Sequence, residues 1–349
     1  MVFPHKEFEK TSCLEANIEK GLLADLFDHI EKHQWNVHSM ILIKGGKMVF
    51  EAYAHDFDAT SREEIYSISK SFTSIAIGML QDEKKIRLDD IALDYFREHV
   101  SMPLLGYESV TIRHLLTMTV GVEKDVFHEI SENMNVFEKF FTTPLVYTPG
   151  EHFVYNNFAS FILSAIVTKV TGKSCNAFLK TRLFDPLEIE NVEWKEVRGI
   201  SMGAFGLKLG AVDLAKFGLL LLREGLWKDQ QLVSKEYIHE ATKYHVSTIH
   251  WDNPRDKFGY GYQFWMNDFG DFRCAGWLKQ YIVVNKEFDV VFVTQAYEER
   301  ELLDLFSEYL IPSLQKGWLY DSVSLRDYVR RFKEQSTARI ENEKATRKV

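Results

Sequence analysis

The sequence predicts an α+β fold: an antiparallel β-sheet flanked by helices, with a helical insertion lobe. Three observations predict it. Strand patterns occupy both ends of the chain, the stretch between them reads as helices and loops, and the strand runs are joined by tight-turn residues. One sheet built from both chain ends is the economical arrangement. A cleft between the two lobes is then the expected place for a ligand.

The elements follow in order. An amphipathic helix is expected near Glu15 to His33. The run "SMILIKGGKMVFEAY" places Gly45-Gly46 between two apolar stretches, a hairpin signal because glycine tolerates positive φ. From Ile68 the apolar positions Phe72, Ile75, Ala76, Met79 and Leu80 keep helical spacing, so a helix starts at about Ser67. Residues 86–200 read as mostly helical and loop-like, with "TIRHLL" and "NNFASFILSAIVTKVTG" the clearest helices and Gly172 the stop of the second. In "VDLAKFGLLLLREG", Asp213 is the expected cap and Gly225 the close. "YGYQFWMN", "QYIVVN" and "VVFVTQA" read as strands, the last two joined by "KEFD". A helix over "RELLDLFSEYLIPSLQ" follows, and the tail from Ser336 is charged, a solvated helix or disordered segment. The expected division is a discontinuous sheet lobe, residues 1–85 with 205–335, a helical lobe, 86–204, and the tail, 336–349.

Composition narrows the function. The chain has 349 residues, 46% hydrophobic and 27% charged, with a net charge of -9. That balance is ordinary for a soluble globular protein and lacks the basic face that nucleic acid requires. Cys13, Cys175 and Cys274 are too scattered for a disulfide framework or a metal site, and none of the twelve histidines has metal-ligand spacing with another ligand. His114 is expected as a core residue of an apolar helix. The opening "MVFPHKEFEK" carries no apolar signal core and no run of 18 apolar residues occurs. The expectation is a cytoplasmic protein with no membrane, nucleic-acid, metal or cofactor partner; its oligomeric state is not readable.

The chemistry starts at "YSISKSF". Ser67 and Lys70 stand three apart, which puts both on one face of a first helical turn. There an amine that is transiently neutral can take a hydroxyl proton, and the helix start supplies N–H groups where negative charge develops. S-x-x-K is a signature of acyl transfer. The tetrad alone does not discriminate, because Ser313-Leu314-Gln315-Lys316 has the same spacing at a helix end. The ordinary alternative for Ser67 is a helix cap, and for Lys70 a solvated charge.

Context decides. "PGEHFVYNNFASFILSAIVTKVTG" contains Tyr155-Asn156-Asn157, a Tyr-x-Asn ahead of an apolar helix. Here the chain resembles the serine β-lactamase-like family: class C β-lactamases, penicillin-binding proteins and DD-peptidases, and esterases or amidases of the same fold. "IYSISKSFTSIAIGMLQDEKKIRLDD", "TIRHLLTMTVGV", with Met118 where the family often has histidine, and "GAFGLKLGAVDLAKFGLLLLREG" are similar to further blocks in the same order. The resemblance covers about Met40 to Gln295. It implies Ser67 as acylated nucleophile, Lys70 as its proton partner, Tyr155 as general base with a phenol pKa lowered by the Lys70 ammonium, and Asn157 as a substrate or lysine ligand.

The third family motif, Lys-Thr-Gly or His-x-Gly, is replaced by Cys274-Ala275-Gly276. Gly276 suits close backbone approach, and the resemblance implies the Trp277 N–H as an oxyanion donor beside that of Ser67. Cys274 would face the substrate site or, as free cysteines more often do, fill a core. The aromatic-rich stretch around Phe258 is read mainly as packing, with Trp277 the exception. Without the motif's cation and hydroxyl, a substrate carboxylate loses its holder. The expected activity is therefore a metal-independent serine hydrolase forming an acyl-enzyme on a small ester or amide. The alternatives are a β-lactamase or D-amino-acid-specific peptidase, and a non-catalytic ligand- or partner-binding relative.

Overall fold

The computed structural model describes residues 2–4, 7–102, 105–130, 134–317 and 324–347. In chain order the elements used below begin with helix α1 (Lys20–Lys32), strands β1 (Val37–Lys44) and β2 (Lys47–Tyr53), and helices α2 (Ser69–Asp82), α3 (Ile112–Leu116), α4 (Asn157–Thr171) and α5 (Ala211–Leu222). Strands β3 (Phe272–Gly276), β4 (Gln280–Asn285) and β5 (Val290–Ala296) follow. Helix α6 runs through Leu302–Leu305, a wider Phe306–Leu310 turn and Ile311–Lys316, ahead of α7 (Leu325–Gln335) and α8 (Thr337–Thr346). No helix of the described residues is long and apolar enough to cross a membrane.

Two compact units result. One comprises Met1–Ile65, Lys208–Arg223 and Phe269–Val349, the other Tyr66–Leu207 and Glu224–Asp268. Compared with the division expected from sequence, residues 66–85, 205–207 and 224–268 fall in the helical unit, and the C-terminal stretch falls in the sheet unit.

In the sheet unit the antiparallel order is β3-β4-β5-β1-β2. Gly45 and Gly46, at φ 63° and 81°, turn β1 into β2 as the pattern predicts. Strand β1 is buried at every position but the last, so both sheet faces are covered. On one face Phe27, Ile30, Phe50, Phe292 and Phe306 join one core. Each such side chain, removed from water, contributes about 1.5–3 kcal/mol. On the other face α5 comes so close that a Cβ on Gly218 would lie 2.4 Å from Val291.

Three expectations are corrected in this unit. Helix α1 starts at Lys20, because Asn17 turns left-handed (φ 53°) and the Glu19 carboxylate caps the amides of Gly21 and Leu22 at 2.8 and 2.9 Å. Asp213 sits one turn inside α5, where it accepts from Gly210 N at 3.1 Å and pairs with Arg62; Gly210 is the cap, and the helix closes at Leu222. The charged tail forms α8, which buries Arg339, Ile340 and Glu343. Its polar face is accommodated by pairing: His38, with no exposed surface, sits between Glu63 and Glu343 at 2.6 Å from each. Residues 348 and 349 of that tail lie outside the described residues.

In the helical unit α2 and α4 are buried along most of their length. Gly172 ends the second in the left-handed region (φ 69°), as expected. "YGYQFWMN" yields only the short strand Trp265–Met266, since Gln263 within it and Gly259 just before it take positive φ and the chain loops instead. That left-handed Gln263 braces three helices. Its amide donates to Leu115 and Leu116 carbonyls at the end of α3 and accepts from Ser160 of α4 at 2.7 Å, while its carbonyl accepts from Ser71 of α2 at 2.9 Å.

Candidate active site

Tyr66 takes a left-handed φ of 46° and starts a tight turn, Tyr66–Ile68, that leads into α2. Ser67 therefore stands on the lead-in and keeps part of its surface, while Lys70, one turn on, is 1% exposed. The other two serines are structural, as expected of them. Ser69 donates to Tyr66 O at 2.6 Å and closes the turn, and Ser71 donates to Gln263.

Lys70 Nζ has three oxygen partners. They are Ser67 Oγ at 2.9 Å, Asn157 Oδ1 at 2.7 Å and the Ala204 carbonyl at 2.9 Å. Burial pushes the lysine down to about 7, against an opposing pull from the Asp125 charge. Ala204 is held in a loop where Gly203, at φ 67°, lies so close to α4 that a Cβ would meet Ser160 O at 2.6 Å. The same loop accepts from Thr73 of α2 at Gly203 O, 2.9 Å away.

At the start of α4, Asn156 caps by accepting from Ala159 N at 3.0 Å, which turns the next side chain, Asn157, toward Lys70. Tyr155 precedes it, its ring 4.8 Å from Lys70 Nζ. Met118, fully buried at φ 60°, underlies the approach: its carbonyl accepts from Val154 N at 2.9 Å, and its sulfur from Asn156 N at 3.3 Å. The Tyr155 ring stacks on Trp265, with Trp251 beside it. A cavity of about 480 Å³ opens there, lined by Asp125, Glu151, Phe153, Tyr155, Thr248 and Trp251 among others.

The expected electrostatics of Tyr155 are reversed. Burial of its hydroxyl end raises the phenol well above its ordinary value, the Ser67 hydroxyl opposes this, and Asp256 and Asp125 add to the rise. The burial that enforces this also depresses Lys70, so the lysine cannot supply a full stabilising cation. Tyr155 is thus a neutral phenol at ordinary pH and Lys70 the group poised near neutrality.

Ser67, Lys70, Tyr155 and Asn157 therefore converge in one unit. Cys274, Gly276 and Trp277 belong to the sheet unit. Cys274 lies on β3 opposite Ile282 with no exposed surface, which corrects its placing among substrate-facing residues: it fills the core. Gly276 needs its missing Cβ, since an added one would lie 2.4 Å from Ile65 O. Trp277 is 65% exposed. Lys279 is paired with Glu301 at 3.0 Å. His114, expected in the core, is half-buried and accepts from Thr111 N as part of a capping box.

Sequence reasoning missed two members of the cluster. The Ala204 carbonyl carries no side-chain signal at all. Asp125, which accepts from Asn157 N at 3.1 Å and Nδ2 at 2.8 Å, follows the quoted block "TIRHLLTMTVGV" by three residues and belongs to no motif.

The fold and this cluster define a class, the serine hydrolases of the β-lactamase and penicillin-binding-protein type. The family model for Beta-lactamase matches residues 23–297, and the chain belongs to that family. It is 29% identical to Protein flp of Staphylococcus aureus (strain MW2) over 173 residues, 45% of this chain and 34% of that protein. It is 28% identical to penicillin-binding protein 4* of Bacillus subtilis (strain 168) over 186 residues, 47% of this chain and 39% of the relative. The chain thus matches well under half the length of these relatives. Among solved structures, a putative 6-aminohexanoate-dimer hydrolase from Bacillus anthracis is similar with a TM-score of 0.72 and 20% identity, covering 88% of this chain and 87% of that one. EstCE1, a hydrolase with promiscuous acyltransferase activity, has a TM-score of 0.69 and 14% identity, covering 85% and 99%. These structural likenesses establish the fold.

Proposed function

We propose that this chain hydrolyses a small ester or amide through an acyl-enzyme on Ser67, with Lys70 as general base and Tyr155 as a proton donor. The observation that carries the reading is the set of partners around Lys70 Nζ. A neutral amine has two protons and one lone pair. The Asn157 and Ala204 oxygens can only accept, so they take the two protons, and the lone pair is left facing the Ser67 hydroxyl at 2.9 Å.

In the proposed sequence Ser67 Oγ attacks the carbonyl carbon and its proton passes to Lys70. The tetrahedral intermediate expels the alcohol or amine, which takes a proton from Tyr155, and Tyr155 is replenished from Lys70. Water then attacks the acyl ester, giving the acid and restoring Ser67. The tight turn before α2 places the Ser67 N–H among the unpaired amides of a helix start, suited to the developing oxyanion.

Substrates without a free carboxylate next to the scissile bond fit best. In the family's third motif a cation and a hydroxyl hold such a carboxylate, and the Cys274-Ala275 pair that takes the motif's place in the sequence offers neither. This disfavours the β-lactamase and peptidase readings. The names of two similar structures, a dimer hydrolase and a hydrolase with acyltransferase activity, accord with acyl transfer.

The test is intact-protein mass after exposure to a fluorophosphonate. One adduct on wild type that is lost in Ser67→Ala and Lys70→Ala supports the reading. Folded wild type with no adduct would leave a ligand-binding relative, and an adduct persisting in Ser67→Ala would mean a different nucleophile.

A further inference from the structure

Asn157 presents a problem that its own residue type does not solve. A carboxamide has two ends of nearly equal shape, an oxygen that accepts and an NH2 that donates. Only one orientation offers Lys70 an acceptor. In the other, the NH2 would face the lysine, and the amine would turn its lone pair away from Ser67.

Asp125 removes the ambiguity. Its Oδ2 accepts from Asn157 Nδ2 at 2.8 Å, and a carboxylate oxygen tolerates only the donor end there. The same oxygen accepts from Asn157 N at 3.1 Å, which ties the first residue of α4 to the carboxylate. The other oxygen, Oδ1, accepts from Phe127 N at 3.0 Å and holds the carboxylate on its own loop. A negative charge at this place also meets the positive end of α4. The carboxylate is therefore fixed on three amide donors and delivers one consequence, the Asn157 oxygen 2.7 Å from Lys70 Nζ.

We infer that Asp125 is a positioning residue of this site: it locks the Asn157 amide and so aims the Lys70 nitrogen at Ser67. This rests on the reading of Ser67 as nucleophile and Lys70 as base. The charge has a second, separable effect. Asp125 favours the lysine ammonium and opposes the depression caused by burial, so it also sets the pH at which the base becomes available.

The test is the rate of fluorophosphonate labelling of Ser67 as a function of pH, in wild type, Asp125→Asn and Asp125→Ala. Asparagine retains an oxygen that can accept from Asn157 while removing the charge. It is expected to keep the plateau rate within about fivefold and to move the midpoint down by about half a pH unit or more. Alanine removes both, and the plateau is expected to fall about ten- to a hundredfold. In an Asn157→Ala background, Asp125→Ala is expected to leave the plateau unchanged, because there is no amide left to orient. A merely structural role would lower the folded fraction without moving the midpoint. The inference is overturned if wild type is labelled at Ser67 and the midpoint is the same in all three proteins, or if the Asp125 and Asn157 plateau effects add. Absence of any Ser67 adduct on wild type overturns the underlying reading instead, and this inference with it.

Discussion

Ser67-Ile68-Ser69-Lys70 and Ser313-Leu314-Gln315-Lys316 have the same spacing and opposite surroundings. The first straddles the start of α2, with its serine partly open and its lysine 1% exposed. The second closes α6. There the serine is fully buried and donates back to Leu310 O at 2.7 Å, while the lysine is exposed. One tetrad turns its hydroxyl outward against a desolvated amine; the other hides the hydroxyl and solvates the amine. What separates them is what the rest of the fold places around the lysine: Asn157 from 87 residues away and Ala204 from 134 residues away.

Four experiments sharpen or break that contrast. The largest effect is expected on nucleophile loss. Ser67→Ala should lower hydrolysis of any ester it accepts by about a thousandfold or more, and Lys70→Ala by about a hundredfold or more. Ser313→Ala and Lys316→Ala should leave the rate within about twofold, measured as kcat/KM on an activated ester; equal losses at both tetrads would end the comparison. The next effect is on pH. Below about 7 Lys70 carries its proton and has no lone pair, so the acylation rate should fall about tenfold per unit from pH 7 to 5. Above 7 it should level off, because a phenol raised by burial gives no second ionisation in the ordinary alkaline range. A rate that goes on rising between pH 8 and 10 would restore Tyr155 as the titrating base.

Removal of that phenol comes third. Tyr155→Phe should cost about ten- to a hundredfold in acylation while keeping the midpoint near 7, read from stopped-time labelling across the same pH series. The smallest effects belong to the second tetrad's stability. Ser313→Ala loses a hydrogen bond of about 0.5–1.5 kcal/mol, partly offset by the better helix propensity of alanine, so a change under about 1 kcal/mol is expected in denaturant melts. Lys316→Ala should lie within about 0.5 kcal/mol. A larger loss there would mean that the α6 lysine has a structural partner of its own.

How much of this was legible follows from the range of each interaction. The hairpin at Gly45-Gly46 and the stop at Gly172 are local, depending on residues that tolerate positive φ, and were read correctly. "YGYQFWMN" looked like a strand because its aromatic content outweighs one left-handed position, Gln263, that no propensity reveals. The tail looked solvated because Glu343 finds His38 only through the fold. At the site, the residue types and their order were readable, but the ionisation was not. Counting Lys70 as a cation beside Tyr155 ignores that one desolvated environment acts on both, downward on the amine and upward on the phenol. Asp125 was invisible for a related reason: its partner is 32 residues away, and its role lies in which end of an amide it selects.

The brace made by Gln263 has a bearing on how the enzyme would respond to its medium. The helix carrying Lys70 and the helix carrying Asn157 are tied together through Gln263, by its buried side-chain amide, its backbone carbonyl and two serine hydroxyls, none of them charged. Ionic strength weakens exposed ion pairs over distances of about 8–10 Å at physiological salt and leaves buried neutral hydrogen bonds largely alone. The spacing between those two helices should therefore be the same in dilute buffer and in molar salt, and any salt dependence of turnover would report on charged groups, the Asp125 carboxylate or an approaching substrate, rather than on this brace.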